Sequence, residues 1–272
     1  VQTETETTAP ASRGWQARWY LWDGGFLAFG RADGVVPPHA HHAIQIVIGL
    51  DGPVGLRGEE GPTAVFRGGI VAADVAHQFE PMGSLIAIML VDPESHEGRW
   101  LSRSLSAPIT EISATRMEAV IAAMEAIHRE PPDAPETARM IHALVRGLCA
   151  GPPPLRALDE RVRAALEHIR RMDTDRLSLE EAARTVYLSP SRFAHLFRDE
   201  VGLPFRRYLL WRRLTRAMLA VGRGSTLSAA AHACGFSDSA HLTRTCYQML
   251  GLPPSLLLRA GEFYEIPAPF EG

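Results

Sequence analysis

The chain has 272 residues, of which 46% are hydrophobic and 22% charged, with a net charge of −3. That is enough chain for one or two domains with substantial cores, and the composition excludes collagen-like, largely disordered and membrane-embedded classes. Three cysteines, Cys149, Cys234 and Cys246, exclude a disulfide framework and read as small buried hydrophobes. With no apolar run of membrane-spanning length, and a start, VQTETETTAPAS, that lacks a signal pattern, a cytoplasmic location and no membrane partner are expected.

Val1 to Ser12 is rich in Thr and Glu without periodicity, and is expected to be disordered. From Trp15 to about Leu90 the texture changes to short runs with β-branched and aromatic residues: RWYLWDG, GFLAFG, AIQIVIGL, PVGLRG, AVFRGGIV and SLIAIMLVD. Closely spaced short strands with Gly and Pro turns predict a barrel or sandwich. Within this region PPHAHHAIQIVIGLDG carries the chemistry. On a strand, His39, His41 and Gln45 share one face and His42 takes the other, where a surface position is expected. His77 follows GGIVAADVA, where the next strand can bring it opposite.

This spacing resembles the cupin motif, in which an HxH pair, a Glu four residues after the second His and a distant His bind a metal inside a barrel. Here Gln45 stands at the Glu position, and Ala72 and Asp74 stand at the usual Pro and Gly of the second motif. Gln brings no charge to offset desolvating a dication, yet three neutral imidazoles plus water hold zinc or nickel. Three readings stay open: a divalent metal, zinc or nickel, at His39, His41 and His77; an organic-effector pocket lined by these residues and Gln45; or a purely structural barrel.

From Ile109 to Glu130 the pattern turns helical, with Ile112, Met117, Val120, Ile121, Met124 and Ile127 in one stripe. A second helix is expected from Pro135 to Ala150. The stripes need a partner surface, either the barrel or a second subunit. Gly151-Pro152-Pro153-Pro154 is a stiff connector, and Leu158 to Met172 starts the next domain as a helix.

From Leu177 to Arg259 one pattern is written twice: LSLEEAARTVYLSPSRFAHLFRDEVGLP recurs 49 residues on as TLSAAAHACGFSDSAHLTRTCYQMLGLP, with Ala182 matched to Ala231 and Phe197 to Cys246. Each copy reads as a helix-turn-helix. Ser189 and Asp238 are N-caps of the second helices, Pro190 sits at a first helical position, and Phe193, Leu196, Phe197 and Val201 form a buried stripe. The exposed faces then carry Ser191, Arg192 and His195 in one copy and Ser239, Ala240, His241 and Arg244 in the other. These are side chains suited to major-groove readout. Arg198, Arg206, Arg207 and Arg212 are expected on phosphates. A helix of roughly 17 residues, ~26 Å long, from Phe205 to about Val221 would hold the recognition helices about one duplex turn apart. The charge agrees: Arg156 to Gly261 has 17 Arg against 10 acids, whereas Val1 to Leu155 has 11 Arg against 18 acids.

On the runs LSPSRFAHLFRDEVG (Leu188 to Gly202) and ACGFSDSAHLTRTCYQMLGLPPSLLLR (Ala233 to Arg259), the last hundred residues resemble the AraC/XylS transcriptional regulators. Leu242 and Cys246 stand where that family usually has Phe, which thins the core of the second unit, and Pro253 where it usually has Ser. The resemblance implies a seven-helix, monomeric DNA-binding domain reading two successive major grooves of double-stranded DNA, and favours a homodimer through helices 110–150. The expected fold is α+β: an N-terminal cupin-like β-barrel followed by helices, 13–150 (barrel about 15–105, helices about 110–150), a linker 151–157, and an all-α domain with two helix-turn-helix units, 158–261. The tail GEFYEIPAPFEG is expected to be irregular. The function so read is a sequence-specific transcriptional regulator with a small-molecule or metal effector, not an enzyme. The rivals are a metal-dependent cupin enzyme with a helical appendage, and a regulator whose barrel is purely structural.

Overall fold

The computed structural model describes residues 17–31, 34–153, 156–172, 177–255 and 262–270. The start Val1 to Ser12 and the linker residues Pro154 and Leu155 lie outside this description, as do residues 256–261. In chain order the elements are β1 (Arg18–Trp22), β2 (Gly25–Arg31), β3 (Val36–His39), β4 (Ile44–Gly49), β5 (Val54–Gly58), β6 (Ala64–Phe66), β7 (Gly68–Val71), β8 (His77–Glu80), β9 (Leu85–Val91), α1 (His96–Ser104), β10 (Ile109–Glu111), α2 (Ala114–Arg129) and α3 (Ala134–Leu148). Then come α4 (Glu160–Arg171), α5 (Leu179–Thr185), α6 (Pro190–Val201), α7 (Phe205–Gly222), α8 (Leu227–Ala233), α9 (Ser239–Leu250) and β11 (Glu262–Glu265).

One sheet has the strand order β10-β7-β4-β9-β2-β1-β11 and the other β3-β8-β5-β6. The large sheet is buried on both faces, which is why β2 and β4 read as continuous apolar runs instead of alternating. Tyr20, Leu27, Phe29, Ile46 and Met89 face α2 and α3 and share a core with Met124, Ile141 and Val145. On the opposite face Val47, Val71 and Ile86 pack against Val54, Leu56 and Phe79 of the small sheet. Farther along that face Trp19, Leu21, Phe26 and Leu90 pack against Leu214, Met218 and Leu242 of the C-terminal helices.

This arrangement corrects the expected barrel. The two sheets do not close on each other, because the face of β1 and β2 that a barrel would cover with strands is covered by α7, α8 and α9. It also decides what the α2–α3 stripe packs on: the chain's own sheet, so the stripe itself requires no second subunit. Ile109 to Glu111 is a strand paired with β7, not the start of a helix, and α2 begins only after Ser113. Helix α1 was not legible because HEGRWLSRS has too few apolar residues to show a period. Its N-cap Ser95 accepts a hydrogen bond from the Gly98 N–H at 3.0 Å.

In the C-terminal domain the two expected caps, Ser189 and Asp238, are in place, and others are present. Ser178 and Glu181 form a capping box on α5, Ser189 caps α6, Thr226 caps α8 and Asp238 caps α9. The repeat, however, runs at two offsets. The first helices match at 48 residues and the second at 49, because the turn before α9 has one residue more than the turn before α6. Ala182 therefore corresponds to Ala230, not Ala231. The first unit has its own core of Phe193, Phe197, Phe205 and Tyr208 with α4. The second unit does not: Leu242 and Cys246, too small to fill it, share a core with Trp19 and Phe26 of the sheet.

The tail is not irregular throughout, since Glu262–Glu265 forms a strand. β11 adds a parallel strand to β1, with Tyr264 stacked on Tyr20 at 5.2 Å and Arg18 Nε donating to Glu262 at 2.7 Å. Among the described residues no helix is long and apolar enough to cross a membrane.

Candidate effector site and nucleic-acid interface

His39 and His77 are direct partners across β3 and β8, with ring centroids 4.3 Å apart. His41 lies just past the end of β3, not on it, and completes a buried triangle at 5.6 and 5.2 Å. The three residues each offer one nitrogen, all within 4.8 Å of one another. All three rings are oriented in the same way. Nδ1 lies 2.9 Å from Pro37 O in His39, 3.0 Å from Ala43 O in His41 and 2.9 Å from Val75 O in His77. A carbonyl oxygen only accepts, so each Nδ1–H donates and each Nε2 keeps its lone pair. Burial lowers all three pKa values, to about 3 for His41 and about 4 for His77, where repulsion from the neighbouring imidazoles adds to it, so the imidazoles are neutral.

Gln45 Oε1 lies 3.2 Å from His41 Nε2, acceptor against acceptor. Gln45 Nε2 and His77 Nε2 are buried and have no hydrogen-bond partner among the described residues. A cation held by the three Nε2 atoms and Gln45 Oε1 would satisfy the converging lone pairs; an end-for-end turn of the amide would satisfy only His41. The residues present therefore fit a borderline-soft divalent metal. Next to the triad is a cavity of about 60 Å³, with Trp19, Phe26 and Ile88 of the large sheet on one side and Met218 and Leu250 of α7 and α9 on the other.

The C-terminal helices roof this site. Trp211 of α7 lies 6.1 Å from the His41 ring. Gly251, the left-handed C-cap of α9 with φ 68°, abuts His39 so closely that a Cβ there would fall 2.8 Å from its Nδ1. Neither contact had a signal in the sequence, since each depends on how the two halves dock.

His42 points away from the triad, as expected, but it is not at the surface: it is 3% exposed beneath Tyr208. Its Nδ1 donates to Asp74 Oδ2 at 2.9 Å and its Nε2 to Glu94. Burial alone would lower its pKa, but Glu94 and Asp74 outweigh that and raise it to about 10. Asp74, at the position of the motif's glycine, has φ 62°, and its bond to His42 offsets the strain of that left-handed backbone. Beside this network Arg212 of α7 is 1% exposed, with Nη2 2.6 Å from Asp23 Oδ1 and Nη1 3.9 Å from Asp92 Oδ2. A phosphate contact by Arg212 is therefore ruled out in this arrangement; the buried face of α7 joins the two halves of the chain. Burial and Glu94 raise the Asp92 pKa to about 7 against the pull of Arg212.

The other proposed DNA contacts lie on free surface. Ser191, Arg192, His195 and Arg198 are exposed on α6, as are Arg206 and Arg207 at the start of α7. On α9, Ala240 and Arg244 are exposed and Ser239 and His241 half-buried. His241 packs edge-on against Phe236 at 5.1 Å, with Nδ1 3.3 Å from Ser237 Oγ, which leaves Nε2 outward.

Residues 182–260 match a family of helix-turn-helix domains. The matched residues form a helix-turn-helix domain of the AraC type. Over 81 residues this AraC-type domain is 30% identical to the probable transcriptional regulator LumQ of Photobacterium leiognathi, a stretch covering 29% of this chain and 33%, about a third, of that relative. The fold of the whole chain is similar to the crystal structure of ToxT from Vibrio cholerae O395, with a TM-score of 0.55 at 8% identity over 90% of this chain and 98% of the other. ToxT from strain SCE256 with a bound unsaturated fatty acid matches with a TM-score of 0.52 at 8% identity, over 95% and 98% of the chains. A sheet-rich region followed by helices is thus the fold the chains share.

Proposed function

We propose that this protein is a transcriptional regulator, not an enzyme, that reads double-stranded DNA with α6 and α9 and is controlled by a metal ion at His39, His41 and His77. The observation that carries the DNA reading is the pair of capped helix-turn-helix units whose recognition helices present short polar, His and Arg side chains to solvent. Base readout falls to Ser191, Arg192, His195, Ser239, Ala240, His241 and Arg244. Phosphate positioning falls to Arg198, Arg206 and Arg207. In a binding titration Arg244→Ala should lose ~1–3 kcal/mol on the selected site and far less on random duplex. Equal losses on both would remove Arg244 from base readout.

A metal is favoured over a fatty acid of the kind bound to ToxT because the polar end of the cavity presents lone pairs, which repel a carboxylate. The cavity, at about 60 Å³, is also far below the few hundred Å³ of a usual organic-ligand pocket. The bound ion would supply a cross-link between strands β3 and β8, and from there His39 and His41 reach Gly251 and Trp211, which places the control point against both α9 and α7. Protein purified without a His tag or chelator should carry about one zinc or nickel per chain, lost in His41→Ala, and added zinc should raise the melting midpoint of the parent only. Metal-free protein whose midpoint ignores zinc and nickel would return the site to an organic effector or to pure structure.

A further inference from the structure

Tyr187 sits in the turn between α5 and α6 with φ 56° and is 97% exposed. The second unit makes the same turn with Gly235 at φ 74°. The equivalence is fixed by hydrogen bonding: Leu188 N donates to Ala183 O at 3.0 Å in one unit, and Phe236 N to Ala231 O at 2.9 Å in the other. Glycine adopts this left-handed backbone freely, whereas the Cβ of a tyrosine meets the neighbouring carbonyl oxygen. A buried ring could offset that strain through packing, but this ring packs on nothing. One unit therefore holds a strained, solvated aromatic where its twin shows that glycine completes the turn without strain, and stability does not account for it.

The position accounts for it. Tyr187 lies two residues before the N-cap Ser189, at the N-terminal end of α6, the end that carries exposed Ser191 and Arg192. A recognition helix enters the major groove by that end, with the sugar-phosphate backbone at its flank. A phenol is neutral at working pH and donates one hydrogen bond, which suits a phosphate oxygen.

We propose that Tyr187 donates a hydrogen bond to a backbone phosphate of the bound duplex and thereby sets the depth and angle of α6 in the groove. This rests on the DNA-binding reading above. Such a contact carries no sequence information, and being uncharged it releases no counterion.

The test uses the full chain, Tyr187→Phe and Tyr187→Gly, titrated over a salt series against a duplex selected from a randomised pool and against a random duplex, with thermal melts alongside. Tyr187→Phe should bind both duplexes roughly three- to tenfold more weakly with the parental salt slope and melting midpoint. Tyr187→Gly should bind as weakly yet melt higher, since it relieves the turn; a loss of fold alone cannot produce that combination. Parental affinity in both variants overturns the proposal, as does a loss confined to the selected duplex. Loss of transcription in a reconstituted assay with DNA affinity unchanged would assign the phenol to a protein partner and overturn it equally. If the parent binds neither duplex, the DNA-binding reading itself has failed.

Discussion

Arg212→Ala is expected to destabilise the protein by about 3–5 kcal/mol, the usual cost of removing one partner from a buried ion pair, and to lower the melting midpoint by roughly 10 °C. Arg212 is 1% exposed and faces Asp23 and Asp92, the latter itself 8% exposed and close enough to Glu94 for that carboxylate to disfavour charge on it. Without the guanidinium, Asp92 loses its largest favourable partner and is left in a poorly solvated site beside Glu94, with Arg170 and His42 as the remaining offsets. Adding Asp92→Asn should therefore recover part of the loss, a coupling that a double-mutant cycle measures directly. Were Arg212 instead a phosphate contact, the substitution would leave stability unchanged and reduce the salt dependence of DNA binding by about one counterion. The two outcomes share no observable, so melting and salt titration of one variant decide between them.

The second large effect is a stability maximum near neutral pH with limbs set by different histidines. His42 has its pKa raised from 6.5 to about 10, so its contribution is fully present below 6.5 and is lost as the pH rises through about 10. His41 and His77 are lowered to about 3 and about 4. The unfolded chain then binds protons that the folded one refuses, and stability is lost as the pH falls from 6.5 toward those values. Asp92, raised to about 7, works against part of the acid limb, because its contribution is greatest at low pH and is lost as the pH rises through about 7. The alkaline limb should amount to on the order of 3 kcal/mol between about pH 7 and 9, and the acid limb, reduced by Asp92, to about half of that at about pH 5. Urea titrations with chelator present, at about pH 5, 7 and 9, measure it. His42→Gln should flatten the alkaline limb alone. A parent equally stable at about pH 7 and 9 would mean that Glu94 and Asp74 do not hold His42 charged.

What the sequence made legible follows the range of the interactions involved. Caps, turns and apolar periods act over a few residues, so α4, α5 and α7 were readable to within a few residues, and the caps Ser189 and Asp238 that open α6 and α9 were read directly. The histidine triad was readable from its motif spacing, although His41 lies beyond the end of β3 and the pairing of β3 with β8 joins segments about forty residues apart. What escaped was docking. His42 looked solvent-facing because nothing local announces that Tyr208, far along the chain, will cover it. Arg212 looked like one more basic residue on a basic helix until its face of α7 met Asp23 and Asp92. The thin core around Cys246 was visible, but not its remedy, the large side chains of β1 and β2. The one-residue slip between the two offsets of the repeat was hidden because alanines occupy both 182–183 and 230–231, and all four are buried.

Strand β11 has a mechanical meaning. The AraC-type domain leaves the large sheet after α3 and returns to it at β1, so it is mounted at both ends on the body that would carry the effector. A body fixed at one point can swing free on its tether. This one is also held between its ends, where Leu214, Met218 and Leu242 share a core with Trp19 and Phe26. While β11 stays paired with β1, a signal from the histidines would therefore act on α7 and α9 where they pack, without releasing the domain.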